Sequence, residues 1–181
     1  VSGLHRDSFL LSELIRFCTL SPSKNLRYAR SILYGFDDST PLPWNIVIRG
    51  YASSDSPKEA IWVFLGMRRR GVRPNKLTFP FLFKACAAVT AVKEARQVHG
   101  EIVKCGLDSD VYVQNSLISA YGCCKRISDA CRVFDEMSVR TVVSWNAVIT
   151  ACVENMWFDD GMCYFLKMRD FGFEPDETTM V

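Results

Sequence analysis

Three asparagines recur in one setting. Asn45 and Asn146 each follow a tryptophan, in "PWNIVIRG" and "SWNAVITA", and Asn115 holds the equivalent place in "VQNSLISA". A carboxamide presents one acceptor and two N–H donors on a short planar head. That is the chemistry of recognition rather than of bond making. Near a helix N-terminus the same side chain commonly caps the backbone, so the reading turns on whether the placement repeats in phase. Candidates for catalysis are thinner. His99 sits on an apolar helical face with no nucleophile beside it and reads as a packed histidine. The eight cysteines contain no Cys-x-x-Cys spacing, Cys123 and Cys124 are adjacent, and only His5 and His99 could add imidazole ligands. A zinc site needs four convergent ligands at characteristic spacings, so neither metal nor cofactor is expected. Free, mostly buried thiols of a reducing compartment are the better reading.

The elements that must position these asparagines are legible as stripes. Trp44, Val47, Ile48 and Tyr51 fall at i, i+3, i+4, i+7, one face of an amphipathic helix. The stripe returns as Phe79, Leu82, Phe83, Cys86, then as Gln114, Leu117, Ile118, Tyr121, then as Trp145, Val148, Ile149, Cys152. A fainter copy is Leu11, Leu14, Ile15, Cys18. A second stripe follows each of these. It reads Ala29, Ile32, Leu33, Phe36, then Ala60, Val63, Phe64, Met67, then Ala95, Val98, His99, Ile102. It continues as Ala130, Val133, Phe134, Met137 and Gly161, Tyr164, Phe165, Met168. Each unit is therefore two short helices, with a small residue opening the second stripe. Gly161 in that place costs about 1 kcal/mol of helix propensity. Ser56-Pro57-Lys58-Glu59 reads as a capping box. Gly71 then Pro74, and Gly172 then Pro175, read as helix stops. One such hairpin cannot bury its own apolar faces, whereas a stack can. The expected fold is all-α, an α-α superhelix built as a right-handed solenoid of helical hairpins.

Composition agrees with a folded domain. The chain has 181 residues, 49% hydrophobic and 23% charged, with a net charge of +2. No apolar run approaches the roughly 18–20 residues of a membrane span. The chain starts on Val1 with no signal-peptide pattern, and it reads as a piece of a longer protein whose targeting segment lies elsewhere. Residues 1–75 hold 11 Lys+Arg against 6 Asp+Glu, and residues 76–181 hold 11 against 14. Nothing here resembles a strongly basic nucleic-acid binder, and an RNA partner would be held weakly by charge alone.

A hairpin period of 35 residues interrupted by a 31-residue unit resembles the pentatricopeptide repeat family, in particular its plant subclass of alternating standard, long and short repeats. Residues 41–75 and 142–176 resemble standard repeats, ending in "GVRPN" and "GFEPD". Residues 76–110 resemble the long type through "KLTFPFLFKACAAV", and 111–141 the short type through "VYVQNSLISAYG" and "DACRVFDEM". Residues 8–40 resemble a degenerate short repeat with two extra residues around Leu20–Lys24. Residues 1–7 resemble the tail of a preceding long repeat, and 177–181 the start of another.

The resemblance implies single-stranded RNA binding at one base per repeat. It places base choice at position five of the first helix and at the last residue of the repeat. Carried over, position five is Ser12, Asn45, Pro80, Asn115 and Asn146, and the last position is Thr40, Asn75, Asp110, Thr141 and Asp176. Position two supplies an apolar wall to sandwich the base: Phe9, Leu42, Leu77, Tyr112 and Val143. Asn146 with Asp176 implies uracil, and Asn45 with Asn75 a pyrimidine, cytosine over uracil. Asn115 with Thr141 leans pyrimidine and Ser12 with Thr40 purine, while Pro80 with Asp110 reads loosely. "RRRGVR" offers Arg68, Arg69, Arg70 and Arg73 as phosphate contacts, although cations are also favoured at a helix C-terminus for local reasons. Trp44 and Trp145 lie on the apolar stripes and read as core rather than as stacking platforms.

The implied role is site recognition for C-to-U RNA editing or other RNA processing in a mitochondrion or chloroplast. Editing-complex proteins are possible partners under that resemblance, and the chemistry is supplied elsewhere, so the segment is not expected to be an enzyme. The rival is a tetratricopeptide-like scaffold holding protein in its groove. That family keeps a period near 34 residues and a W-x-x-L-G-x-x-Y phrase, and this chain shows neither.

Overall fold

Each predicted stripe has its own helix among the described residues. The computed structural model describes residues 8–21, 25–35 and 40–179. The expectations for residues 1–7 and 180–181, for the extra residues at 22–24, for His5 and Phe36, and for the side chain of Phe9 lie outside what is described. Ten helices and no strand occur among the described residues. They are α1 (Ser8–Leu20), α2 (Leu26–Gly35), α3 (Pro41–Ala52), α4 (Lys58–Arg69), α5 (Thr78–Ala88), α6 (Val92–Cys105), α7 (Val111–Cys123), α8 (Ile127–Glu136), α9 (Val142–Glu154) and α10 (Phe158–Asp170).

The chain forms two compact units, Val1–Ala85 and Cys86–Val181. In the first, α1 packs on α2 and on α3, and α3 packs on α4. In the second, α7 packs on α8 and on α9, and α9 packs on α10. In both, a first helix touches its own partner and the first helix of the next hairpin. This is the nearest-neighbour pattern that lets hairpins bury faces they cannot bury alone.

The predicted stripes form these cores. Trp44, Val47, Ile48 and Tyr51 are buried, as are Trp145, Val148, Ile149 and Cys152. Leu14 departs from the expectation at 46% exposed. It lies on α1, against which no earlier helix packs among the described residues.

Small residues allow the close approaches. A Cβ on Gly122 would stand 2.7 Å from Ala151 Cβ and 3.2 Å from its Cα, where α7 meets α9. The predicted stops are also present. Gly71 and Gly172 take φ of 73° and 79°, and the next residue's N–H returns to the carbonyl five residues before it, Val72 to Met67 and Phe173 to Met168.

The capping box does not form. Ser56 gives its backbone N–H to Ser54 Oγ at 3.2 Å, and Glu59 pairs with Arg30 of α2. A cross-helix cation takes the carboxylate that would have reached back to the cap.

One polar cluster staples the second unit. Asp129, in the first turn of α8, accepts from Arg96 of α6 at 3.0 Å, from Arg126 at 2.9 Å and from Arg132 at 3.0 Å. Burial pushes its carboxyl up, but the bonds from Arg126 and Arg96 outweigh it and hold the carboxyl below the usual range. A depressed carboxylate stabilises the fold above its unfolded pKa, and the contribution is lost as pH falls through the folded value. The three arginines are half exposed, which weakens each bond. Asp129→Asn is therefore expected to cost about 1–2 kcal/mol at neutral pH. Urea titrations over a pH series check this: the gap between the two proteins should close as the pH drops below about 4.

Candidate nucleic-acid interface

Two of the predicted reader pairs are joined by hydrogen bonds in the same pattern. In α3, Asn45 Nδ2 donates to Asn75 Oδ1 at 3.1 Å, and Asn45 Oδ1 accepts from Thr78 Oγ1 at 2.8 Å. In α9, Asn146 Nδ2 donates to Asp176 Oδ1 at 2.8 Å, and Asn146 Oδ1 accepts from Thr179 Oγ1 at 2.6 Å. Neither asparagine caps its own helix. Each is nearly buried, and each reaches across to the end of its own repeat.

The last residues use only one side of their heads. Asn75 Oδ1 accepts from Leu77 N at 3.0 Å as well as from Asn45. Asp176 Oδ1 accepts from Thr178 N at 3.0 Å and Thr179 N at 3.1 Å. A backbone N–H must meet an oxygen, and this orients the Asn75 amide. Asn75 Nδ2 and Asp176 Oδ2 have no hydrogen-bond partner among the described residues. One repeat thus ends in an open donor and the other in an open acceptor. Bonds to Thr178, then Asn146 and Thr179, hold the Asp176 carboxyl down at about 2, so it is ionised and accepts only.

Leu42, Leu77, Tyr112 and Val143 are all exposed. In the second unit a cavity of about 350 Å³ is lined by Val143, Asn146, Ala147 and Thr150 of α9, by Ser119 and Gly122 of α7, and by Asp176 and Thr178.

The remaining predicted residues are placed differently. Asn115 is buried in α7, but its Oδ1 has no partner among the described residues. Thr141 caps α9, accepting from Ser144 N at 3.4 Å, and no hydrogen bond joins it to Asn115 among the described residues. Asp110 caps α7 by accepting from Val113 N at 3.1 Å. Pro80 is buried within α5, Ser12 is buried in α1, and Thr40 is the exposed residue ahead of Pro41 at the start of α3. Arg68, Arg69 and Arg73 are exposed. Arg70 donates to the Tyr34 carbonyl at 2.6 Å and lies over the Tyr34 and Trp44 rings, so it also packs the first unit. Trp44 and Trp145 are 1% and 2% exposed and present no face to a base. His99 is half-buried, with Nδ1 3.0 Å from the Tyr121 hydroxyl, and burial pushes its pKa down.

Thr78 and Thr179 were not among the predicted site residues. The signal was available: "PNKLT" and "PDETT" carry the same Pro-[Asn/Asp]-x-x-Thr phrase behind both helix stops.

Comparison with known proteins is consistent throughout. The PPR repeat family model matches residues 43–88, and the PPR repeat model matches 115–142 and 143–173. A pentatricopeptide repeat-containing protein of Arabidopsis thaliana is 54% identical over the whole chain, which spans 36% of that relative's length. Two other pentatricopeptide repeat-containing proteins of that plant are named chloroplastic and mitochondrial. The first is 44% identical over 78% of this chain and 19% of its own length, and the second 34% over all of this chain and 27% of its own. The crystal structure of the pentatricopeptide repeat protein PPR10 in complex with an 18-nt psaJ RNA element matches at TM-score 0.70 and 20% identity, over 93% of this chain and 26% of that one. That likeness shows the fold, an all-α array of helical hairpins. With models, relatives and fold in agreement, the chain belongs to the pentatricopeptide repeat family.

Proposed function

We propose that this chain is a base-reading segment of a single-stranded RNA-binding protein, one base per repeat. The observation that carries the reading is the pair of open head atoms. Uracil offers an N3–H donor, which suits the lone acceptor Asp176 Oδ2. Cytosine offers an N3 lone pair, which suits the donor Asn75 Nδ2. The exposed second-position side chains Leu42, Leu77, Tyr112 and Val143 support an apolar wall against base faces. That PPR10 was crystallised with an RNA element supports the same class of ligand.

Read 5′ to 3′ along the repeats, the register is purine, pyrimidine, loosely read, pyrimidine, uracil. The base-poor repeat is the one carrying Pro80 and Asp110. Arg68, Arg69 and Arg73 serve phosphates, and Arg70 does so only alongside its packing role. The repeats belong to the subclass that alternates standard, long and short units, which implies site recognition for C-to-U editing with the reaction carried by other components. The place of action is a mitochondrion or chloroplast, the two organelles named among the relatives.

The test is selection of the full-length protein against a pool of short single-stranded RNAs randomised at every position, at fixed salt because affinity depends steeply on it. Enriched RNAs are expected to carry uracil at the position of the last repeat and cytosine at that of Asn45. Asn146→Thr is expected to move the first toward guanine, and Asn45→Thr the second toward adenine. Enrichment of no RNA, or of RNAs without positional preference, would overturn the reading in favour of a groove that holds protein.

A further inference from the structure

The predicted readers differ in how they are held. At Asn45 and Asn146 three groups close a ring. The asparagine Nδ2 donates to Oδ1 of the last residue. The backbone N–H of that last residue donates to the threonine three places on, Asn75 N to Thr78 Oγ1 at 3.0 Å and Asp176 N to Thr179 Oγ1 at 2.9 Å. The threonine hydroxyl is then left to donate, and it lies closest to the asparagine Oδ1. Thr78 and Thr179 are buried, and a β-branched side chain is stiff about its first torsion.

At Asn115 the ring is open. The equivalent residue, Ser144, accepts from Thr141 N at 3.1 Å, as the threonines do from their last residues. Its hydroxyl, however, lies 3.2 Å from Thr141 Oγ1 rather than on Asn115. Thr141 supplies no bond to the Asn115 amide either, and Asn115 Oδ1 is left buried without a partner among the described residues. The same backbone cap therefore exists in all three places, while the grip on the asparagine exists in two.

We propose that Thr78 and Thr179 are positioning residues that set the specificity of the preceding repeat, by locking the amide of Asn45 and Asn146 in one of its two orientations. This rests on the base-reading function proposed above. A carboxamide turned through half a rotation exchanges its donor and acceptor poles, and with them the base edge it matches. Turning Asn146 would set Oδ1 against the Asp176 carboxylate, which cannot donate, and Nδ2 against Thr179 Oγ1, which already accepts from Asp176 N, so the first bond is lost and the second forces the hydroxyl to give up its role as donor. Asn115 has no such lock, so its repeat discriminates less between bases.

The test uses the full-length protein and paired RNAs that differ only at the base under one repeat. Thr179→Val keeps shape and removes the hydroxyl. It is expected to lower the uracil-to-cytosine affinity ratio at the Asn146 position by about three- to tenfold, the worth of one hydrogen bond. Thr78→Val should lower the cytosine preference at the Asn45 position by a similar factor. Because the readout is a ratio within one preparation, partial unfolding cancels from it. Ser144→Ala removes the same backbone cap where no lock exists, and should shift the preference at Asn115 by less than about twofold. A native protein with clear preferences that both valine variants retain would overturn the lock while leaving base reading intact. Equal shifts in all three variants would overturn it too, since capping alone would then explain them. A native protein with no preference at these positions would overturn the base-reading assignment and the lock with it.

Discussion

Under the proposed base-reading function, Asp176→Asn is expected to turn a uracil preference into a cytosine preference at the position assigned to Asn146, and at no other. Oδ1 of Asp176 is committed to the backbone N–H groups of Thr178 and Thr179 and to Asn146. An asparagine placed there must keep an oxygen toward those donors, so the only atom that changes character is the open one. Oδ2, an acceptor, becomes Nδ2, a donor. The chain already contains the product of this exchange: Asn75 keeps Oδ1 toward Leu77 N and Asn45, and leaves Nδ2 open. The uracil N3–H then faces a donor, while the cytosine N3 gains one. A well-placed contact of this kind discriminates by about 1–3 kcal/mol, so the uracil-to-cytosine ratio should change by about tenfold or more. Competition between two RNAs differing at that base measures it, and Asn75→Asp should give the reverse change at its own position. A change in affinity that is equal for both RNAs would assign Asp176 to the turn alone. Since the carboxyl is held at about 2, the uracil preference should not vary with pH across the neutral range.

The helices and their buried faces were legible because burial repeats with the helical period, and four copies in phase leave little freedom. Trp44 and Trp145 were assigned to the core on that ground, and both are buried. The pairing of Asn45 with Asn75 and of Asn146 with Asp176 followed from the same register. What could not be read was which atom of Asn75 or Asp176 remains open. That depends on the turn after each helix stop, where Leu77, Thr178 and Thr179 bring their N–H groups onto one oxygen. The roles of Thr78 and Thr179 were missed for a related reason. They stand three residues past the last residue of the repeat, and only the course of the chain after each helix stop carries them back to Asn45 and Asn146. The Ser56 cap failed in the opposite direction. A local pattern was overridden by Arg30, a partner distant in sequence.

Trp145→Ala should have the largest effect on stability, about 3–5 kcal/mol. The indole is 2% exposed and stands edge-on to Phe134 with centroids 4.7 Å apart, with Phe171 at 5.9 Å and Phe173 at 6.1 Å. It therefore joins α9 to α8 and to the segment after α10, and its removal opens a cavity shared by three elements. Trp145→Phe should cost far less than the lost area suggests. The indole Nε1 is buried with no partner among the described residues, a cost of about 1–3 kcal/mol that phenylalanine removes. Hydrogen exchange of the α9 amides suits the measurement better than a single melting point, because arrays of repeats lose cooperativity. Protection in α9 should fall sharply in the alanine variant and little in the phenylalanine one. The pair also separates core from ligand contact. If Trp145 stacked on a base, phenylalanine would preserve stacking and alanine would abolish RNA binding with the fold intact. A core residue gives the other outcome: RNA affinity falls only as protection of α9 falls, because Asn146 is held in place by the helix that Trp145 anchors.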